Sequence, residues 1–375
     1  MLVWITLTHL PTGVSTYTNQ PFGFVSAAEG FIFLSALFTG RIYLRLAERD
    51  GYGTMQRKLS MRTLRLYGYH LLLLCFAFLV AVPIAASGTR PGLHNLLDFY
   101  FAGPHRAMID GALLIYRPPL LDILPMYILF LALTPIVLTI TRRIPWKYVV
   151  GASFAVWLLA QFGLKQAAYT AMAYRFDYHI PLKNMGAFDL WAWQFLWVLG
   201  LWFGVRWAKD QLPVVDWARR VTIPAAVIAV AVLTLRYAVF PNAVPPVASE
   251  LFDKWHLGIV RMIDFAAVAA LLIRFPAVLR SVTVRPLVLM GQASLQVFCA
   301  HVLFCFGGLT LMGSAPMLTG WRQSLLVAVT MAGMLGIAKV FAKSESGGPG
   351  PRTGEKKGPV LRGRPAPGAA TRAIG

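Results

Sequence analysis

Apolar residues run along this chain in long blocks, not in the alternation of a half-buried strand or the narrow stripe of a surface helix. Nine blocks are long enough and poor enough in charge to cross a bilayer: about 23 to 45, 66 to 86, 122 to 141, 147 to 163, 189 to 207, 220 to 240, 257 to 275, 287 to 311 and 321 to 342. A hydrocarbon core about 30 Å thick needs roughly 20 residues at a helical rise of about 1.5 Å. Ahead of them, Met1-Leu-Val-Trp-Ile-Thr-Leu-Thr-His-Leu10 is strongly apolar and is ended by Pro11. Such a run reaches only about 15 Å, so it is expected to be the outer half of a first span that begins upstream of Met1. It has no basic lead and no small-residue cleavage site, and does not read as a signal peptide. The expected fold is all-α: a polytopic integral membrane protein of about ten transmembrane helices, the first N-terminally truncated, occupying residues 1–342.

Composition agrees, since 57% of the residues are hydrophobic and 13% charged, more apolar surface than a globular interior can hide. The net charge of +20 would suggest nucleic acid in a soluble chain. Here it is a topology signal. With the segment 41 to 65 placed in the cytoplasm, alternation puts 24 of the 35 Lys and Arg on the cytoplasmic side and 7 in the opposite loops, so the C-terminus is expected to be cytoplasmic. From Ser344 onward the chain is rich in Gly, Pro and basic residues, and residues 343–375 are expected to form a disordered cytoplasmic tail. No internal repeat is visible, so the paired halves common in transporters find no support. Cys75, Cys299 and Cys305 lie inside apolar runs without metal-ligand spacing, which assigns them structural roles.

Ionisable groups at membrane depth are costly and draw attention to a site. They collect on one side. Glu29, Asp98, Asp110, Asp122, Asp177, Asp189, Glu250, Asp253 and Asp264 fall in the outer loops or outer span halves, as do His9, His94, His105, His179, His256 and His301, whereas His70 is placed near the cytoplasmic side. His9, at the outer end of the first span, is either an interfacial histidine or a general base. Glu29 lies just inside the next span among Ser26, Ala27, Ala28 and Gly30, small residues that let another helix approach. It needs a partner there. A His9–Glu29 pair would provide one, whether structural or catalytic. Asp122 opens a span as an N-cap or as a site residue. Arg261 and Asp264, three apart on one helix, read as mutual neutralisation, and Trp193, Trp197, Trp202 and Trp207 as interfacial belts facing lipid. There is no P-loop, no nucleophile elbow and no metal-ligand cluster with usable spacing.

Six segments, in order, resemble the OpgC family of bacterial inner-membrane proteins, which modify osmoregulated periplasmic glucans. They are His9, Phe24-Val-Ser-Ala-Ala-Glu-Gly-Phe-Ile-Phe-Leu-Ser35, Leu121-Asp-Ile-Leu-Pro-Met-Tyr127, Ala187-Phe-Asp-Leu-Trp-Ala-Trp-Gln-Phe-Leu-Trp-Val-Leu-Gly200, Asp253-Lys to Arg261, and Met290-Gly-Gln-Ala-Ser-Leu-Gln-Val-Phe-Cys299. The family is similar to the ten-helix membrane acyltransferases. The resemblance implies a membrane O-acyltransferase that moves an acyl group, succinyl by the family's example, from cytoplasmic acyl-CoA to a hydroxyl of a periplasmic glucan, with no metal. It implies His9 as catalytic base; on that footing Glu29 is expected to orient it, and Asp122, Lys254, Arg261, Asp253, Gln194 and His301 are expected at the substrate. The expected partners are the bilayer, the glucan and glucan-synthesis proteins, with no nucleic acid. Two positions depart from the family pattern: Ser35-Ala-Leu stands where Ser-Gly is usual, and Asp264 where histidine is expected. A transporter of a glycan, a lipid-linked sugar or an anion would use the same outer charges as a vestibule, and an inactive member would scaffold a glucan-modifying complex.

Overall fold

The computed structural model describes residues 1–212, 220–240 and 244–346. Among them every regular element is helical. The principal helices are α1 (Leu2–His9), α2 (Ala27–Asp50), α3 (Tyr52–Ala86), α4 (Ile123–Ile140), α5 (Trp146–Gln161), α6 (Leu164–Phe176), α7 (Leu190–Ala208), α8 (Thr222–Val239), α9 (Ile259–Arg274), α10 (Arg285–Gln292), α11 (Ser294–Met312) and α12 (Gly320–Ser346). Seven segments are long and apolar enough to span a membrane: α2, α3, α4, the Leu182–Ala208 stretch ending in α7, α8, α11 and α12 up to Ala342. The pair α5 and α6 makes an eighth if taken as one span, although it bends by 80°.

Among the described residues seven such segments, or eight with the bent pair, are therefore found where about ten spans were expected. The expected span 257 to 275 is α9, only 16 residues long. The expected span 287 to 311 is divided at Ala293, whose φ of −102° and ψ of 40° interrupt the helix between α10 and α11. The block 147 to 163 stops at Phe162, and Gly163, with φ of +84°, lets the chain turn into α6; a residue with a Cβ resists that left-handed conformation. The expected tail lies outside the described residues, except that α12 continues to Ser346.

The bundle is organised on α2 and α7. Serine at the N-cap starts α2, and Glu29 three residues on returns a hydrogen bond to the Ser26 backbone, completing a capping box. Further along, Gly200 and Gly204 of α7 lie directly on α2. A Cβ at Gly200 would stand 2.6 Å from the Ala36 Cβ, one at Gly40 would stand 2.6 Å from the Leu201 carbonyl oxygen, and one at Gly204 would collide with the Leu37 carbonyl. The close approach is thus made by a Gly-xxx-Gly pair, and not by the small residues at the start of α2: Gly30 faces the Met1 side chain. Gly204→Ala is expected to cost about 1–3 kcal/mol through overpacking. Thermal melting in detergent measures it, with Gly151→Ala, where nothing lies within 4 Å, as the control that leaves the melting temperature unchanged or raised.

The four tryptophans do not form a lipid-facing belt. Trp193 and Trp197 are buried in the bundle, where Trp193 donates from Nε1 to the Trp255 carbonyl (3.1 Å) and Trp197 to the Thr134 hydroxyl (3.1 Å). Trp207 lies under the Arg41 guanidinium. His70 is buried and contacts the Gly111 carbonyl at 3.2 Å, so it packs against the connection between α3 and α4.

Candidate functional site

At one end of the bundle the connections 113–122, 177–189 and 244–258 meet over α1. The Arg117 backbone N–H bonds the Asn184 carbonyl, and the Asp189 N–H bonds the Trp255 carbonyl. Between them and the start of α2 lies a cavity of about 350 Å³ whose polar lining includes His9, Arg117, Asp122, Lys183 and Lys254. Three residues singled out in the sequence, His9, Asp122 and Lys254, are therefore brought together.

His9 ends α1, because Pro11 disfavours helix in the residue before it and Leu10 turns to ψ of 134°. Its imidazole lies against His301 of α11, ring centroids 5.7 Å apart and Nδ1 3.4 Å from the His301 Nε2. Hydrogen-bond logic fixes the tautomers. The other nitrogen of His301, Nδ1, is 2.5 Å from the Phe298 carbonyl, a group that only accepts, so Nδ1 carries the proton and Nε2 a lone pair. His9 then donates from Nδ1 to that lone pair, and its own Nε2 keeps a lone pair. His9 borders the cavity.

Glu29 does not orient His9. Its Oε1 accepts from Nε of Arg261 at 2.9 Å and from Nη2, and its Oε2 accepts from the Ser26 N–H (3.0 Å) and hydroxyl (2.6 Å). Glu29 and Arg261 are both fully buried. Arg261 is correspondingly absent from the cavity wall, where it had been expected. Its hydrogen bonds do not go to Asp264, on which it acts only through space: the Asp264 Oδ2 accepts the N–H groups of Phe24 (2.8 Å) and Val25 (3.1 Å). Helix α9 thus clamps the N-terminus of α2 at two points. Ser26, Ala27 and Ala28, held by that clamp, form part of the cavity wall.

Asp122 precedes α4 without capping it. Burial pushes its carboxyl up to about 6, while the Ala187 N–H, Lys254 and Arg117 act in the opposite sense. Burial likewise lowers the Lys254 ammonium from its ordinary range and brings Arg117 down to about 10. Two expected residues stand elsewhere. Gln194 ties α7 to α5, accepting from the Ser153 hydroxyl (2.6 Å) and donating to its carbonyl (2.8 Å). Asp253 accepts from the backbone of Trp255 and His256 and from the His256 ring at 2.5 Å. That turn also gathers ligand atoms of Glu250, Asp253 and His256 within 4.8 Å of one another, a cluster that the sequence reading did not find.

A second cavity, of about 620 Å³, opens further along α2, α3 and α4 and is strongly basic, with Lys58, Arg62 and Arg65 of α3 in its wall. Arg62 donates to the Tyr127 hydroxyl at 2.9 Å. The cavities approach on three helices at once. Ala28 of α2 and Ile123 of α4 line the first, whereas Phe31 and Leu124 line the second. On α11, His301 touches His9 and Phe298 faces the second cavity. The partition is aromatic: Phe31 stacks on Phe298 at 6.1 Å and meets Tyr127 at 5.9 Å. Sequence reading missed Lys58, Arg62 and Arg65 as site residues because their charges had been absorbed into the topology count.

One protein-family model, described as OpgC protein, matches residues 1–346. No curated protein and no solved structure matches the chain.

Proposed function

This chain belongs to the OpgC family, and from that premise we propose that it is a membrane O-acyltransferase that carries succinyl from cytoplasmic succinyl-CoA to a hydroxyl of a periplasmic glucan, in the bacterial inner membrane. Membership supports acyltransferase-type chemistry. The observation that carries the finer reading is that a basic cavity and a His9 cavity are lined by neighbouring residues of the same helices, Ala28 and Phe31 of α2 and Ile123 and Leu124 of α4, with the His9 imidazole against His301. The basic cavity suits the phosphates of an acyl-CoA, which Lys58, Arg62 and Arg65 would neutralise. The His9 cavity would take the acceptor. His9 Nε2 removes the hydroxyl proton as the oxygen attacks the thioester carbonyl; the carbon–sulfur bond breaks, and the CoA thiolate leaves and is protonated. Succinyl carries its own carboxylate, for which Lys254 is a counter-charge.

Purified full chain in proteoliposomes is expected to release CoA only when a glucan acceptor is supplied. Arg62→Ala with Arg65→Ala should raise the KM for acyl-CoA on the order of 100-fold or more, each lost charge-assisted contact being worth about 1.5–3 kcal/mol. Glucan uptake without any acyl-CoA would instead establish the transporter reading.

The elevated carboxyl of Asp122 sets a pH dependence. Asp122 is neutral below about pH 6, where its attraction for Lys254 and Arg117 is lost, so transfer should fall on the acid side with a midpoint near 6. Stability has the opposite sense: a raised carboxylate pKa favours the protonated fold, and stability declines as pH rises from about 4 to about 6, then levels. Asp122→Asn is expected to remove both slopes. An acid limb that survives in this variant would assign it to another group.

A further inference from the structure

A groove of about 390 Å³ opens on the flank of the bundle between α4, α6 and α7. Leu129 and Leu133 of α4, Tyr169 and Met172 of α6, and Leu190 of α7 make its walls almost wholly apolar. Leu133 is half exposed, and around α6 the side chains of Phe162, Tyr174 and Phe176 stand strongly exposed, as aromatic residues do at a membrane interface. The 80° bend between α5 and α6 sets α6 across the bundle direction, over the end of the groove from which α4 descends. Leu129 and Leu133 lie 7 and 11 residues beyond Asp122, roughly 10 and 16 Å deeper by helical rise.

Two cations stand at the upper end, Arg117 and Lys165. Arg117 is only 7% exposed, and its single side-chain hydrogen bond among the described residues runs from Nε to the Leu114 carbonyl at 2.9 Å. Lys165 donates to the Gly186 carbonyl at 3.1 Å. Both therefore have neutral oxygens as hydrogen-bond partners among the described residues; they repel each other, and carboxylates act on them only through space, Asp122 on both and Asp189 on Lys165. Asp189, the one acid lining the groove, is fully buried and accepts the Trp191 N–H. A buried guanidinium that donates to no carboxylate among the described residues, at the head of an apolar groove, has donors left for an anion that carries a hydrocarbon tail.

We propose that this groove binds an anionic phospholipid, its phosphodiester held between Arg117 and Lys165 and an acyl chain lying along Leu129, Leu133 and Met172. The head group would then adjoin the transfer site, because Arg117 and Phe188 wall both the groove and the His9 cavity. The lipid fixes Arg117 and closes the lateral side of the cavity.

The test is photo-crosslinking of the full chain in phosphatidylcholine vesicles doped with a phosphatidylglycerol that carries a diazirine in one acyl chain, with labelled peptides located by mass spectrometry. Labelling is expected to concentrate in 129–133 and 168–172, and to be competed by unlabelled phosphatidylglycerol but not by added phosphatidylcholine. Lys165→Gln should reduce it about 10-fold, the value of one charge-assisted contact. Leu133→Trp, at an exposed position, should abolish it by filling the groove while leaving both cations in place. Labelling spread evenly over the apolar helices, equal labelling by a phosphatidylcholine probe, or labelling unchanged in both variants would each overturn the site. The readout is lipid position, so its outcome is independent of whether the chain transfers acyl groups.

Discussion

Replacing His9 by alanine is expected to lower acyl transfer by roughly 10²- to 10⁴-fold, about 3–5 kcal/mol of barrier, which is what removal of a positioned general base costs. The KM for acyl-CoA should hardly move, since the basic cavity that would hold the donor lies beyond the aromatic partition. In the proposed mechanism His301, which contacts His9, acts through it as a positioning residue. His301→Ala removes the acceptor of the His9 Nδ1–H bond and frees the ring to turn or change tautomer, so kcat should fall by roughly 5- to 150-fold, equivalent to about 1–3 kcal/mol for an abandoned hydrogen-bonding group. His301→Gln offers an amide oxygen to the same proton and should recover part of that loss. Steady-state rates for the four proteins decide the matter. Full activity in His9→Ala would end the catalytic assignment, and a His301→Gln no better than His301→Ala would end the positioning role.

Helical class and the positions of most spans were legible because a bilayer imposes a length and an apolarity that few other structures share. That His9, Asp122 and Lys254 stood out, three residues that line one cavity, has a related reason: charge in an apolar chain is conspicuous. What hydropathy does not resolve is the direction a residue faces within the apolar phase. Trp193 and Trp197 satisfy the same composition rule whether they face lipid or, as they do, the bundle. Pairing was equally hidden. Glu29 was correctly read as needing a partner, but that partner, Arg261, is 232 residues away, and the residue meeting His9 is 292 away. One sequence carries no sign of such distant contacts. The basic wall of the second cavity was concealed by its own chemistry, since a positive-inside loop and a phosphate-binding face use the same residues.

The largest expected loss of stability lies in the contact that the sequence reading paired wrongly. Glu29 and Arg261 form a fully buried ion pair, and deleting one partner strands a charge in a medium of low dielectric. Arg261→Met leaves the Glu29 carboxylate with only the Ser26 donors and is expected to cost about 3–5 kcal/mol, a fall of roughly 5–10 °C in detergent melting temperature. Glu29→Gln leaves the guanidinium with Asp264 attracting it only through space and keeps an amide oxygen for the capping box, so its loss should be similar or somewhat smaller. The double variant Glu29→Gln, Arg261→Met removes both charges and preserves the cap. It should recover most of the stability, because buried pairs are costly to break and often close to neutral to remove together. That recovery separates an electrostatic clamp from mere packing, since a packing defect at Arg261 would persist in the double variant. A double variant no more stable than Arg261→Met would show that the two charges do not depend on each other. If the clamp holds as described, transfer should recover together with stability, since Ser26, Ala27 and Ala28 reach the His9 cavity through the backbone that this pair fixes and neither charge touches the cavity itself.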